Sequence, residues 1–260
     1  MKAVTAESIA CAGGTTTPSN LVSQQLEDEM VFRVDEFKQS GLYLLFPGGK
    51  RIVLTREKIE AFAHIFESNL DQIPAEIRAA AAFHACPVCP EKDRAKFCHA
   101  LPATLAFFNE LEGFKSFDNV GAVYRGRKQD LALVPKTSMQ EALQFVAIFS
   151  LMYYCEVGKQ YWKFFLGIHP LMGPEELITR IHLNIYWDCK GDKQKVDKIL
   201  RSFGDEIICT CRCQVKRLGL ICKNDALMNA FVNTQSQIEW LVMAKDDRLE
   251  QSFEEFMKNG

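Results

Sequence analysis

The hydrophobic pattern changes character once, near residue 137, and that change limits the fold more than any other feature of the chain. Before it, short apolar runs are punctuated by glycine and proline; after it, apolar residues recur every three or four positions. A chain that keeps its strands early and its helices late predicts an α+β fold, with short strands in a small, mainly antiparallel sheet followed by a helical C-terminal half.

The early strands are legible from turn chemistry. Leu42 to Phe46 and Arg51 to Leu54 flank Pro47-Gly48-Gly49 and read as a hairpin. Thr55 caps a following helix with Ile59, Phe62, Ala63, Phe66 and Leu70 on one face. A helix is expected from Ala103 to Phe114, then strands over Val120 to Tyr124 and Leu131 to Val134 around Gly126. Beyond them Thr137 or Ser138, with Glu141 in the first turn, opens a helix that runs to about Cys155. Gly173-Pro174-Glu175-Glu176 opens another. Val196, Ile199, Leu200, Phe203, Ile207, Cys211, Val215 and Leu218 make one stripe of a long helix, and Asn224 or Asp225 starts the last. In that last helix Leu227, Phe231, Ile238, Leu241 and Val242 point inward. Residues 1–27 read as a flexible tail, order begins at Met30 to Val34, and one domain is expected over 28–258.

Composition narrows the setting. A formal net charge of -2 gives no bulk attraction to nucleic acid or to anionic membrane. The longest apolar run, Ala142 to Cys155, is too short to span a bilayer. Ten cysteines without a secretory leader fit a reducing cytoplasm with free or metal-bound thiols.

Those thiols carry the chemistry. Cys86-Pro87-Val88-Cys89-Pro90 followed by Cys98-His99 spells C-x2-C-x8-C, in which a tight turn brings two sulfurs to one point and a short loop returns a third. Structural zinc takes four ligands, and His84 and His99 are local candidates for the fourth. The same dithiol could serve redox chemistry, but the preceding Ala75 to Ala85 reads as helix, whereas reactive C-x-x-C pairs sit where a strand enters a helix. The full iron–sulfur spacing is absent, as are H-E-x-x-H, H-x-E, P-loop, G-x-S-x-G and G-x-G-x-x-G patterns. Cys209 and Cys213, four apart in Cys209-Thr210-Cys211-Arg212-Cys213, share a helix face and could form a second thiolate site, with small packing residues as the default reading. The aromatic run Tyr153-Tyr154, Tyr161-Trp162 and Phe164-Phe165 is expected in the core, with a ligand pocket or partner surface as the alternative.

The cysteine segment, Ser116-Phe117 and Val120, Thr137-Ser138-Met139-Gln140, Met152, Cys155, His169, Glu175-Glu176 with Arg180, and Asp225-Ala226 with Asn229-Ala230 together resemble an uncharacterised bacterial family of delta-proteobacterial type, a domain of unknown function, over residues 30 to about 245. The family pattern has C-P-A at the third cysteine, S-G-C-P before the histidine and H-L-P-F at it, where this chain has Cys98-His99-Ala100, Tyr154-Cys155-Glu156 and His169-Pro170-Leu171-Met172. The resemblance implies no activity; it does imply that His169, or failing that Cys155, completes the site.

The expectation is a cytoplasmic protein stabilised by structural zinc on Cys86, Cys89, Cys98 and His169, working through interaction or regulation with a protein partner or as a homo-oligomer. The alternative is a thiol redox or iron–sulfur protein using the same cysteines. An enzyme with a site around His169, Glu176 and Arg180 is the third reading.

Overall fold

The computed structural model describes residues 36–83, 86–95, 97–127, 130–221 and 225–243. The expected tail over 1–27 and the start of order at Met30 to Val34 lie outside them. The described residues from Phe37 to Met243 form one compact unit.

Four antiparallel strands, β1 (Gly41–Leu45), β2 (Arg51–Leu54), β3 (Asn119–Arg125) and β4 (Leu131–Ser138), make one sheet in the order β2-β1-β3-β4. The β1–β2 hairpin closes through Gly48 and Gly49 at φ 77° and 80°, a region open to glycine at no steric cost. Leu42, Leu44, Ile52, Leu54, Val120 and Ala122 join the main core. The opposite face is covered in part by Phe37, whose ring meets Tyr43 edge-on at 5.0 Å. Both faces of β1 are therefore buried, and all five of its residues with them.

Seven α-helices accompany the sheet among the described residues: α1 (Arg56–Ser68), α2 (Ala75–Ala82), α3 (Ala100–Leu105), α4 (Met139–Tyr154), α5 (Pro174–Asp188), α6 (Lys193–Leu218) and α7 (Asp225–Met243). A 3-10 stretch, Gly158–Phe165, follows α4. The α+β arrangement is the expected one, and so are most of its caps. Thr55 Oγ1 accepts the Lys58 N–H at 3.2 Å. Ser138 and Glu141 form a reciprocal capping box, satisfying two donors that a helix start leaves orphaned. Pro174 stands in the first turn of α5, where its missing N–H has no helical partner to lose.

The helix expected over Ala103 to Phe114 is different. It starts at Ala100, with Pro102 in its first turn, and ends at Leu105. The chain then tightens into turns, Phe108 N–H to Leu105 O at 3.0 Å and Glu110 N–H to Phe107 O at 3.1 Å. Those turns, rather than a continuous helix, leave Phe107 and Leu111 buried in the core.

Helix α4 is buried on nearly all sides, from Met139 through Leu143 and Val146 to Leu151, and packs against α3, α7 and the 3-10 stretch. Such all-round apolarity marks a central helix. Phe203 on α6 is gripped by Tyr161, Phe164 and Phe165 at ring separations of 5.3, 6.0 and 5.8 Å. Asp225 at the start of α7 accepts both the N–H and the hydroxyl of Ser116 at 2.9 Å, tying the last helix to the approach of β3. No helix among the described residues is long and apolar enough to cross a membrane.

Candidate metal centre

The cysteine loop lies between α2 and α3 and is built from two consecutive proline-led turns. Cys89 N–H donates to Cys86 O at 2.9 Å and Lys92 N–H to Cys89 O at 3.2 Å, with Pro87 and Pro90 each second in its turn, where a fixed φ suits the bend. Cys98 N–H then donates to Ala81 O at 3.0 Å, which closes the loop against the end of α2.

Helix α6 passes alongside. Its C-terminal half is buried on two sides: Cys211 and Leu218 enter the main core, while Thr210, Cys213, Gln214 and Arg217 turn to the loop. The sulfurs of Cys86, Cys209 and Cys213 all lie within 4.8 Å of one another. Cys209 and Cys213 sit one helical turn apart on a common face, so both can meet a single point on the loop. They are thus joined to the first cysteine of the C-x2-C pair instead of forming a site of their own.

A cavity of about 130 Å³ adjoins this trio, with Cys86, Cys89, Cys98, Cys155 and Cys213 in its wall. Cys155 reaches it from the C-terminal cap of α4. The described cysteines are free thiols.

Polar groups are directed at the sulfurs. Gln214 Nε2 donates to Cys98 Sγ at 3.1 Å, while its buried Oε1 finds no hydrogen-bond partner among the described residues. Arg217, 3% exposed, donates from Nε to Phe83 O at 3.1 Å. A hydrogen bond with Cys213, followed by burial, raises the Cys86 thiol, and that same bond holds Cys213 below its ordinary value with help from the Arg217 charge. Burial pushes Cys155 up to about 12 despite N–H donors from Gly158 and Val157. Burial raises Cys89 against the Glu91 N–H, and raises Cys209 together with the neighbouring Cys86.

Soft sulfur donors in this number suit a thiophilic ion. Tetrahedral zinc with bonds of about 2.3 Å places its sulfurs roughly 3.8 Å apart, within the spread of the trio. His99 borders the cavity, with Nδ1 3.4 Å from Glu67 Oε1. His84 lies outside the described residues. His169 is placed elsewhere: its ring stacks on Tyr124 at 6.2 Å, its Nδ1 accepts the Leu171 N–H at 3.2 Å, and the small cavity it lines shares no residue with the thiol cavity. Glu176 and Arg180 are exposed on α5.

The sequence signal for α6 was present in another form. Thr210, Cys213, Gln214 and Arg217 fall at helical spacing and make a second, polar stripe beside the apolar one, which is what a helix buried on two sides requires. The aromatic run divides. Phe164 is core, whereas Tyr153, Trp162 and Phe165 line a groove of about 310 Å³ with Phe145 and Phe149.

No protein family, curated protein or solved structure matches the chain.

Proposed function

We propose that this is a zinc-stabilised protein acting through interaction or regulation, in which Cys86, Cys209 and Cys213 hold one ion that fastens the proline-turn loop to α6. The observation that carries the reading is the convergence of these three sulfurs within 4.8 Å from two separate elements. Loop segments of this kind bury little apolar surface, and a structural ion supplies the stability that packing there does not. The sequence lacks the H-E-x-x-H and H-x-E patterns of catalytic zinc sites, which favours a structural over a catalytic ion.

A second reading has one observation in its favour. The Cys86 and Cys213 sulfurs lie within 4.8 Å of one another on separate elements, and the hydrogen bond between them raises the Cys86 thiol and lowers its partner. A dithiol that cycles with a disulfide needs such an asymmetry. Metal analysis of protein purified with and without air separates the two. Zinc retained by wild type in both preparations and lost from Cys86→Ala, Cys209→Ala and Cys213→Ala supports the first reading. A reversible Cys86–Cys213 disulfide with no bound metal supports the second. Metal-free protein whose stability ignores all three substitutions removes both.

A further inference from the structure

The aromatic groove of about 310 Å³ shares no residue with the thiol cavity, and the metal reading leaves it without a role. One wall follows α4, where Phe145, Phe149 and Tyr153 stand in a row with rings 5.7 and 4.4 Å apart. Tyr153, Trp162 and Leu166 are each more than half exposed along it. Large apolar side chains gathered around one concavity, rather than scattered singly, mark a binding site, and the volume suits a small molecule.

Charge narrows the kind of molecule. Arg56, Glu57 and Arg127 are the charged residues of the groove wall. Arg56 is already matched, by an ion pair with Glu60 and by its seat over the Tyr153 ring at 5.1 Å. Glu57 and Arg127 have no ion-pair partner among the described residues, and they do not pair with each other. Asp130, another acid near Tyr124, is outside the wall.

The sheet fixes how far apart these two start. Leu54 and Tyr124 both pair with Leu42, so β2 and β3 end on either side of β1, about 10 Å apart at two strand spacings. Glu57 follows the end of β2, in the first turn of α1, and Arg127 follows the end of β3. A gap of that size is spanned by a molecule that carries both charges on one carbon, with about 3 Å between them and a contact of about 3 Å at each end.

We infer that the groove binds a free aromatic α-amino acid, its ring on the wall of Phe149, Tyr153 and Trp162, its carboxylate toward Arg127 and its ammonium toward Glu57. Aromatic rings pack well on one another at offset or edge-on separations, which favours a ring over an alkyl chain as the apolar body. A ligand with one charge leaves the other side chain unmatched. The inference is independent of the metal reading.

Calorimetric titration of the full chain with L-phenylalanine tests it, beside 3-phenylpropionate, which lacks the ammonium, and phenethylamine, which lacks the carboxylate. Wild type is expected to bind L-phenylalanine about tenfold more tightly than either relative, the scale of one charged hydrogen bond. Glu57→Gln and Arg127→Gln, both at exposed positions, are each expected to weaken L-phenylalanine to a similar extent. Glu57→Gln should leave 3-phenylpropionate unchanged, and Arg127→Gln should leave phenethylamine unchanged. No saturable binding by wild type, or 3-phenylpropionate bound as tightly as L-phenylalanine, overturns the inference. So does a wild-type dimer that Trp162→Ala dissociates, because a second copy then fills the groove. The comparison of the three compounds on wild type decides the matter even where a variant fails to fold.

Discussion

Gln214 on α6 donates its side-chain amide to the sulfur of Cys98, 116 positions earlier in the chain, at 3.1 Å. The bond links the loop read from the sequence to a helix read there as packing by default, with Cys209 and Cys213 as a possible second thiolate site. Gln214→Leu keeps the bulk and removes the donor. It is expected to destabilise the fold by about 1 kcal/mol, the usual net cost of losing one hydrogen bond, by loosening the loop from α6. Urea unfolding measures it, and unchanged stability would show the contact to be incidental.

Removing the ion should cost stability everywhere the loop is held. A ligand bound only by the folded chain stabilises it by about 4 kcal/mol at a thousandfold excess over Kd. Chelator is therefore expected to lower the Tm of wild type by several degrees and leave the Cys86→Ser/Cys209→Ser/Cys213→Ser variant unmoved, as read by calorimetry.

Gly158 stands beside Cys155 because nothing larger fits there: a Cβ would come within 2.1 Å of the Leu151 carbonyl oxygen. Backbone cannot move aside as a side chain can. Gly158→Ala is expected to destabilise the fold by roughly 1–3 kcal/mol in urea unfolding, by forcing the turn after α4 outward.

The crossing of α6 and α7 offers a contrasting test. At Gly204 an added Cβ would meet Val242 Cγ2 at 2.2 Å, a side chain rather than backbone. Gly204→Ala alone is expected to cost about 1–3 kcal/mol, and Val242→Ala on top of it to restore part of the loss. Additive destabilisation in the double variant would place the strain elsewhere.

Much of the scaffold was legible because its causes are local. Thr55, Ser138 with Glu141, Pro174 and the Gly48-Gly49 turn each act on backbone within four residues, and the structure has each where the sequence put it. The helix after the cysteine loop is shorter than its pattern predicts because consecutive apolar residues fit either a helix or a series of tight turns, and the turns bury Phe107 and Leu111. The centre was half legible for a similar reason. Spacing marks Cys86 and Cys89, but which face of α6 meets the loop depends on how the whole helix docks. The Thr210, Cys213, Gln214 and Arg217 stripe lies beside a stronger apolar one, which dominates the helix's hydrophobic pattern.

The capping box also sets a pH dependence. Burial of the Glu141 carboxyl works to raise its pKa, but hydrogen bonds from the Ser138 N–H, the Thr137 hydroxyl and Ser138 outweigh that and hold it below its ordinary value. A depressed folded-state value means stability that is complete above the unfolded carboxylate range and lost as pH falls through the lowered value. The stability difference between wild type and Glu141→Gln is accordingly expected to be present at pH 7 and to shrink in acid. Parallel denaturation curves across that range check it, and a constant gap would refute the charge argument.

The placement of Cys209 and Cys213 has a consequence for biosynthesis. Cys209 lies 123 positions after Cys86, so their sulfurs meet only once α6 has been made and docked. An ion held by all three would be captured as a closing event of very long range, unlike the self-contained folding of a zinc finger. Its yield would then depend on keeping the nascent loop thiols reduced until α6 arrives.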